Sequence, residues 1–204
     1  MVDALEPIAS NVSAAMRRVP RHRFVPADLR RSAYEDEPLP LSHGEATISA
    51  PHMVAIQLEW AELTSGLSVL EVGTGSGYLA ALVAELIRPG GSFLGIEIDP
   101  VLAEDAGRRL AELGYQEVEV RAGDGSLGAP DRAPFDRIIV SCAAPSILPA
   151  WKEQLSADGR VVAPVGGSFE QTWVRWRETV SGGRLEKGPA CRFVPLKERA
   201  RRHI

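Results

Sequence analysis

From Ser68 to Val72 the chain reads Ser-Val-Leu-Glu-Val, a short and mainly apolar run that predicts a buried β-strand. A glycine-rich turn, Gly73-Thr74-Gly75-Ser76-Gly77, follows, and the next stretch, YLAALVAELI, places apolar side chains at helical spacing. The pattern recurs as FLGIEI (strand), VLAEDAGRRLAEL (helix closed by Gly114), VEVRAGDG (strand and loop) and FDRIIVSCAAP (strand and loop). Strands alternating with helices predict an α/β fold whose mostly parallel sheet is doubly wound, with helices on both faces.

Beyond this alternation a short helix is expected over Trp151 to Leu155. GRVVAPVG, QTWVRWRETV and CRFVPL then read as strands separated by glycine-rich turns. Strands that follow one another without helices predict an antiparallel C-terminal edge. The opening of the chain differs: an amphipathic stretch through Ala14 and Met16, a segment punctuated by Pro20, Pro26, Pro38 and Pro40, and a helix from Met53 to Leu63. Residues 1–65 are therefore expected to form an N-terminal helical cap and substrate segment, and 66–204 the core. No repeat or low-complexity linker divides them, so 1–204 is expected to be one domain.

With 204 residues, 45% of them hydrophobic, the chain has material for a single core. A formal net charge of -4 argues against a nucleic-acid partner held through phosphate neutralisation. The basic clusters Arg17, Arg18, Arg21, Arg23 and Arg199, Arg201, Arg202 read as solvated faces and a charged tail. Cys142 and Cys191 form no CxxC pair and no histidine cluster accompanies them, so neither a disulfide framework nor a metal site is expected. No apolar run nears the roughly 20 residues of a membrane helix, and no secretory signal is visible. A cytoplasmic protein without membrane contact is expected.

Three glycines at alternate positions directly after a strand let the backbone approach a ligand closely, although a purely structural turn uses the same residues. Glu97 ends the next predicted strand, where an open α/β sheet offers a carboxylate to ribose hydroxyls; Ile98 adjoins it and Asp99 competes for the role. A dinucleotide site would show G-x-G-x-x-G. Here Gly73, Gly75 and Gly77 give G-x-G-x-G, with the acid Glu71 two positions before them. Such an acid would repel a pyrophosphate but attract the cationic half of S-adenosyl-L-methionine, which favours the methyl donor. In Gly123-Asp124-Gly125 the carboxylate could accept from an adenine amino group, or serve a plain Asp-Gly turn.

Leu70 to Gly77, Gly95 to Glu97, Gly123 to Gly125 and Ala133 to Asp136 running on through Pro145 resemble, in order and spacing, the protein-L-isoaspartate O-methyltransferases. Val19-Pro20-Arg21, Phe24-Val25-Pro26, Ala33-Tyr34, Pro38-Leu39-Pro40 and above all Ala46-Thr47-Ile48-Ser49-Ala50-Pro51-His52-Met53-Val54-Ala55 extend the likeness, and Arg192 to Leu196 looks like that family's terminal strand. The resemblance implies a seven-stranded Rossmann-like methyltransferase sheet and a monomer. It also implies methylation of the free carboxylate of L-isoaspartyl residues in damaged proteins and peptides, the ester then collapsing to a succinimide.

By the same resemblance Ser49, with Thr47, is the active segment beside the methyl donor. Glu71, Gly73, Thr74, Gly75, Ser76, Gly77, Glu97, Ile98, Asp124 and Gly125 hold the donor, and Ala46, Ile48, His52 and Val54 face the substrate. The chemistry asks little of the protein: a carboxylate with a pKa near 4 is already ionised at neutral pH, so His52 is not needed as a general base. Thr47 and Ser49 could orient the carboxylate as donors, cap the helix that begins near Pro51, or both. Two positions depart from the family pattern, Glu45 where Gly or Gln is expected and Lys197 where a small hydroxyl residue is frequent. They leave open a dedicated peptide substrate, as in relatives that esterify one chosen aspartate. A module that binds the donor without catalysis is the remaining alternative.

Overall fold

The computed structural model describes residues 8–43, 45–179 and 182–198. The Arg199, Arg201, Arg202 cluster and Val180, the end of one predicted strand, lie outside the described residues. The cap begins with helix α1 (Ser10–Arg18), continues through two short 3-10 turns and a two-stranded ribbon of β1 (Leu39–Pro40) and β2 (Thr47–Ile48), and enters α2 (Pro51–Ala61). Pro51 stands at the first turn of α2, where its missing N–H costs nothing. Both predicted helix boundaries in this region are two residues late.

The core alternates β3 (Ser68–Val72), α3 (Tyr78–Ile87), β4 (Ser92–Glu97), α4 (Pro100–Glu112), β5 (Val118–Ala122), β6 (Phe135–Val140), α5 (Pro149–Glu153), β7 (Leu155–Gly166), β8 (Gln171–Arg177) and β9 (Arg184–Cys191). All seven strands from β3 onward join one sheet in the order β5-β4-β3-β6-β7-β8-β9. Its first five strands run parallel, and β8 and β9 extend it antiparallel. Alternate residues of each strand feed separate apolar layers. Val69, Phe93, Ile139 and Val162 pack with α1, α2 and α3, whereas Leu70, Leu94, Ile138 and Val161 pack with Trp151 of α5. Trp151 is fully buried and its indole Nε1 donates to the Gly125 carbonyl (2.9 Å), which ties the thinner layer to the loop after β5.

The expected terminal strand CRFVPL is not the sheet edge. Residues 184–191 hold that place. They escaped notice because the strand is exposed on both faces and so shows no apolar alternation. The segment 192–196 instead crosses the carboxyl end of the sheet. Gln171 clamps Phe193 by donating to its carbonyl (3.0 Å) and accepting from its amide (2.6 Å), and Ala143 exchanges backbone hydrogen bonds with Val194 and Leu196 at 2.8 Å each. The short helix before β7 lies at 149–153, two residues earlier than expected, and β7 starts at Leu155.

Candidate active site

Strand order reverses at β3, whose neighbours are β4 on one side and β6 on the other. An open α/β sheet binds its ligand in the crevice at the carboxyl ends of the strands beside such a switch point. The glycine-rich loop fills that place. Gly73, Gly75 and Gly77 take φ of 85°, 54° and 84°, a left-handed conformation that glycine adopts without strain. Gly73 N–H donates to the Ile96 carbonyl (2.8 Å) and Gly75 N–H to Glu97 Oε2 (2.8 Å), so the loop is tied to the end of β4. Gly95 in β4 permits the close approach, since a Cβ there would lie 2.3 Å from Thr74 Oγ1.

Glu97 is buried and its second oxygen accepts from the Asp99 amide at 3.1 Å. Asp99 also borders the cleft, but its Oδ1 caps α4 by accepting from the amides of Val101 (2.8 Å) and Leu102 (3.3 Å). The two acids therefore divide the roles left open by sequence: Asp99 starts a helix, and Glu97 presents its carboxylate to the cleft. The space over the cleft comes to about 750 Å³, part of it open to solvent. Gly73, Gly75, Ile98 and Gly125 line it, with Ala46 and Thr47 on one wall and Val194 to Lys197 on another.

Five of the expected donor-binding residues, Glu71, Thr74, Ser76, Gly77 and Asp124, do not line this cleft. Asp124 does not line this cleft; its Oδ1 accepts from the backbone (3.0 Å) and hydroxyl (2.7 Å) of Ser126, which is the turn role. Gly77 packs against α4, where a Cβ would sit 3.1 Å from Leu110 Cδ1. Ser76 accepts from the Tyr78 amide at 3.3 Å and its carbonyl receives Arg109 Nη1 at 2.8 Å. Thr74 borders a small adjoining cavity together with Glu71, Ser76, Thr47 and Ser49.

Glu71 is the most perturbed acid of the site. It is buried at the end of β3, and burial, reinforced by the charge of Glu97, pushes its carboxyl up to about 8 against the opposing hydrogen bond from Ser141. Ser141 Oγ donates to Glu71 Oε1 (3.0 Å) and accepts from Gln57 Nε2 of α2 (3.1 Å). Oε2 of Glu71 and Oγ1 of Thr74 are both buried and make no hydrogen bond of good geometry, but the Thr74 hydroxyl lies near enough to lower the Glu71 carboxyl, and both residues border the small cavity.

On the other side of the cavity lies a wide, open cleft lined by Ser49, His52, Met53, Gln171, Arg192 and Phe193. Thr47, Ser141 and the 194–196 segment line this cleft and the one beside the glycine loop alike. The expected caps are absent: neither Thr47 nor Ser49 bonds the start of α2, whose free His52 amide is taken by the Asp36 side chain instead. His52 is held by Asp36, whose Oδ1 accepts from its amide and contacts Nδ1, both at 2.9 Å. Burial opposes it, yet these contacts keep the Asp36 carboxyl below the ordinary range. Ile48 and Val54 are core residues that only border the small cavity, and Ala46 borders the cleft beside the glycine loop instead of the open one. Sequence reasoning missed Ser141, Gln57 and Asp36. Ser141 had a signal, since it directly follows a parallel strand at the sheet's carboxyl end.

A family model described as protein-L-isoaspartate(D-aspartate) O-methyltransferase matches residues 7–201. The protein-L-isoaspartate O-methyltransferase of Hyperthermus butylicus is 48% identical over 201 residues, covering 92% of this chain and 81% of that one. Among solved structures, a protein-L-isoaspartate O-methyltransferase superposes with a TM-score of 0.85 at 27% identity, covering 96% of this chain and 65% of its own. A second, described as a putative protein-L-isoaspartate O-methyltransferase from Plasmodium falciparum in complex with S-adenosyl-L-homocysteine, superposes at 0.82 with 22% identity, covering 97% and 94%. The fold, the glycine cradle beside two buried acids and the match over nearly the whole sequence agree: this chain belongs to the protein-L-isoaspartate(D-aspartate) O-methyltransferase family, enzymes that use S-adenosylmethionine.

Proposed function

We propose that this enzyme methylates the free carboxylate of L-isoaspartyl residues in proteins and peptides, with the transfer occurring where the enclosed cleft meets the open one. The observation that carries this reading is the shared wall: Thr47 and Ser141 line both clefts, and Ser49 lines the open cleft and the small cavity between them. A donor in the enclosed cleft and a peptide in the open one thus have one place to meet.

Gly73, Gly75 and Gly125 give the donor's backbone-lined bed, Glu97 serves its ribose hydroxyls, and Glu71 faces its cationic half. Bound S-adenosylmethionine supplies an electrophilic methyl group. The protein orients the nucleophile: Thr47 and Ser49 donate to the isoaspartyl carboxylate, and Arg192 in the open cleft attracts its charge. That carboxylate is ionised at neutral pH, so no residue has to remove a proton, and the pairing of His52 with Asp36 suits a structural role. Alignment alone is worth up to about 7–11 kcal/mol of barrier.

No helix among the described residues is long and apolar enough to cross a membrane. We read the enzyme as a cytoplasmic monomer acting on damaged protein without a nucleic-acid partner. The repair reading is tested by incubating an isoaspartyl peptide with enzyme and S-adenosylmethionine and following products chromatographically. Methyl ester, then succinimide, then a growing fraction of the aspartyl peptide is expected. A stable ester, or no ester, would contradict repair.

A further inference from the structure

The link between Gln57 and Glu71 has a fixed polarity. Gln57 Nε2 donates to the Val140 carbonyl (3.2 Å) and to Ser141 Oγ (3.1 Å). An amide nitrogen is donor only, so the Ser141 oxygen accepts from it and its hydrogen is left for Glu71 Oε1 at 3.0 Å. Oε1 therefore accepts from Ser141 when Glu71 is ionised. Oε2 is buried, and the Thr74 hydroxyl also acts on this carboxyl and lowers its pKa. The chain spans α2, which carries the Thr47–Ser49 segment at its head, and β3, which leads into the glycine loop.

We propose that Ser141 is a positioning residue for the methyl donor: held by Gln57, it pins Oε1 of Glu71 and turns Oε2 toward the donor's cationic methionine half. This rests on S-adenosylmethionine occupying the enclosed cleft, as read above. The groups facing Glu71 are Gln57 from α2, Ser141 and Cys142 after β6, Thr74 from the loop, and Glu97 from β4, whose charge is the one other full charge acting on it. In the free enzyme burial favours the protonated acid. When the cationic ligand binds, the carboxyl O–H bond of Glu71 breaks, its electron pair stays on oxygen and the proton leaves to solvent. Donor affinity thus rises with pH, and Ser141 keeps the required ionisation within reach of neutral pH.

The test is calorimetry on the whole enzyme, without peptide, in two buffers of different ionisation heat. S-adenosylmethionine is compared with S-adenosylhomocysteine, whose sulfur is uncharged. At pH 7 the wild type is expected to release close to one proton, about one per site, with the methyl donor and fewer with the homocysteine product. In Ser141→Ala, loss of a hydrogen bond to a charged acceptor is expected to weaken donor binding about tenfold at pH 7 and to raise the pH midpoint of affinity by about one unit. Ser141→Thr, which keeps the hydroxyl, restores both. Wild-type affinity and midpoint in Ser141→Ala would overturn the proposal. If that variant does not fold by circular dichroism, Gln57→Met replaces it: an upward midpoint is expected, and an unchanged one is equally fatal. Because no peptide is present, the proposed substrate fails separately: normal proton release with no methylation of isoaspartyl peptide refutes the substrate reading alone.

Discussion

Ser49 and the pair of Glu45 and Lys197 show what single residues add to a sequence reading. As a sequence, Ser49 has two roles open to it, cap and donor. Asp36, not Ser49, accepts from the first turn of α2, which removes the first of these. Ser49→Ala is therefore expected to lower kcat about tenfold, the worth of one hydrogen bond to a charged group, while donor affinity stays within about twofold. Single-turnover kinetics beside equilibrium binding checks this, and equal losses in both would return Ser49 to a structural part. Glu45 and Lys197 look in the sequence like two separate disturbances of the substrate mouth. In the structure Lys197 Nζ lies 3.3 Å from Glu45 Oε2, and both border the enclosed cleft, so their charges cancel. Both side chains are more than half exposed, which keeps the pair's energy within the small range of surface bridges. The departures from the family pattern thus compensate one another, a relation that 151 intervening positions hide from a reading of the sequence.

At the scale of elements, α2 is the piece on which the site hangs, and its far end is unusually anchored. Glu62, the C-cap, takes φ of 48°, a left-handed conformation uncommon for a side-chain-bearing residue. Arg137 of β6 donates to the carbonyls of Ala61 (2.5 Å) and Glu62 (3.3 Å), satisfying groups that a helix end leaves unpaired. Arg160, Arg175 (2.6 Å) and Arg177 (2.7 Å) converge on the Glu62 carboxylate. Although burial opposes it, those guanidiniums hold the carboxyl below its ordinary range. A depressed folded-state value means the contribution is full above the unfolded value near 4.5 and is lost as pH falls through the lower folded one. Glu62→Ala is expected to destabilise by about 2 kcal/mol, between a surface bridge and a buried one, in urea unfolding at pH 7, with the difference from wild type shrinking in acid. An equal difference at pH 7 and pH 3 would contradict this. The cluster was not legible beforehand, because its members come from β6, β7, β8 and the end of α2, and only the fold brings them together. The same holds for β9. A buried strand announces itself by composition, but a polar edge strand announces nothing, and only the apolar segment after it carries a strand-like signal.

For the molecule as a whole, the legible part is the part governed by local rules. Apolar runs, glycine punctuation and helical spacing mark the parallel half of the sheet, its wound helices, the loop Gly73–Gly77 and Glu97, because burial on both faces leaves a strong signal in each strand. Contacts between distant segments are not legible: the Gln57, Ser141 and Glu71 chain, the clamp of Gln171 on Phe193, and the crossing of 192–196 that separates the enclosed cleft from the open one. On the proposed reading, those contacts give donor and carboxylate one meeting point. The most direct test of that claim is radiolabelled methyl transfer from S-adenosylmethionine to matched isoaspartyl and aspartyl forms of one short peptide, with base-labile product counted. Label confined to the isoaspartyl form is predicted, whereas equal label in both forms, or none in either, would contradict it.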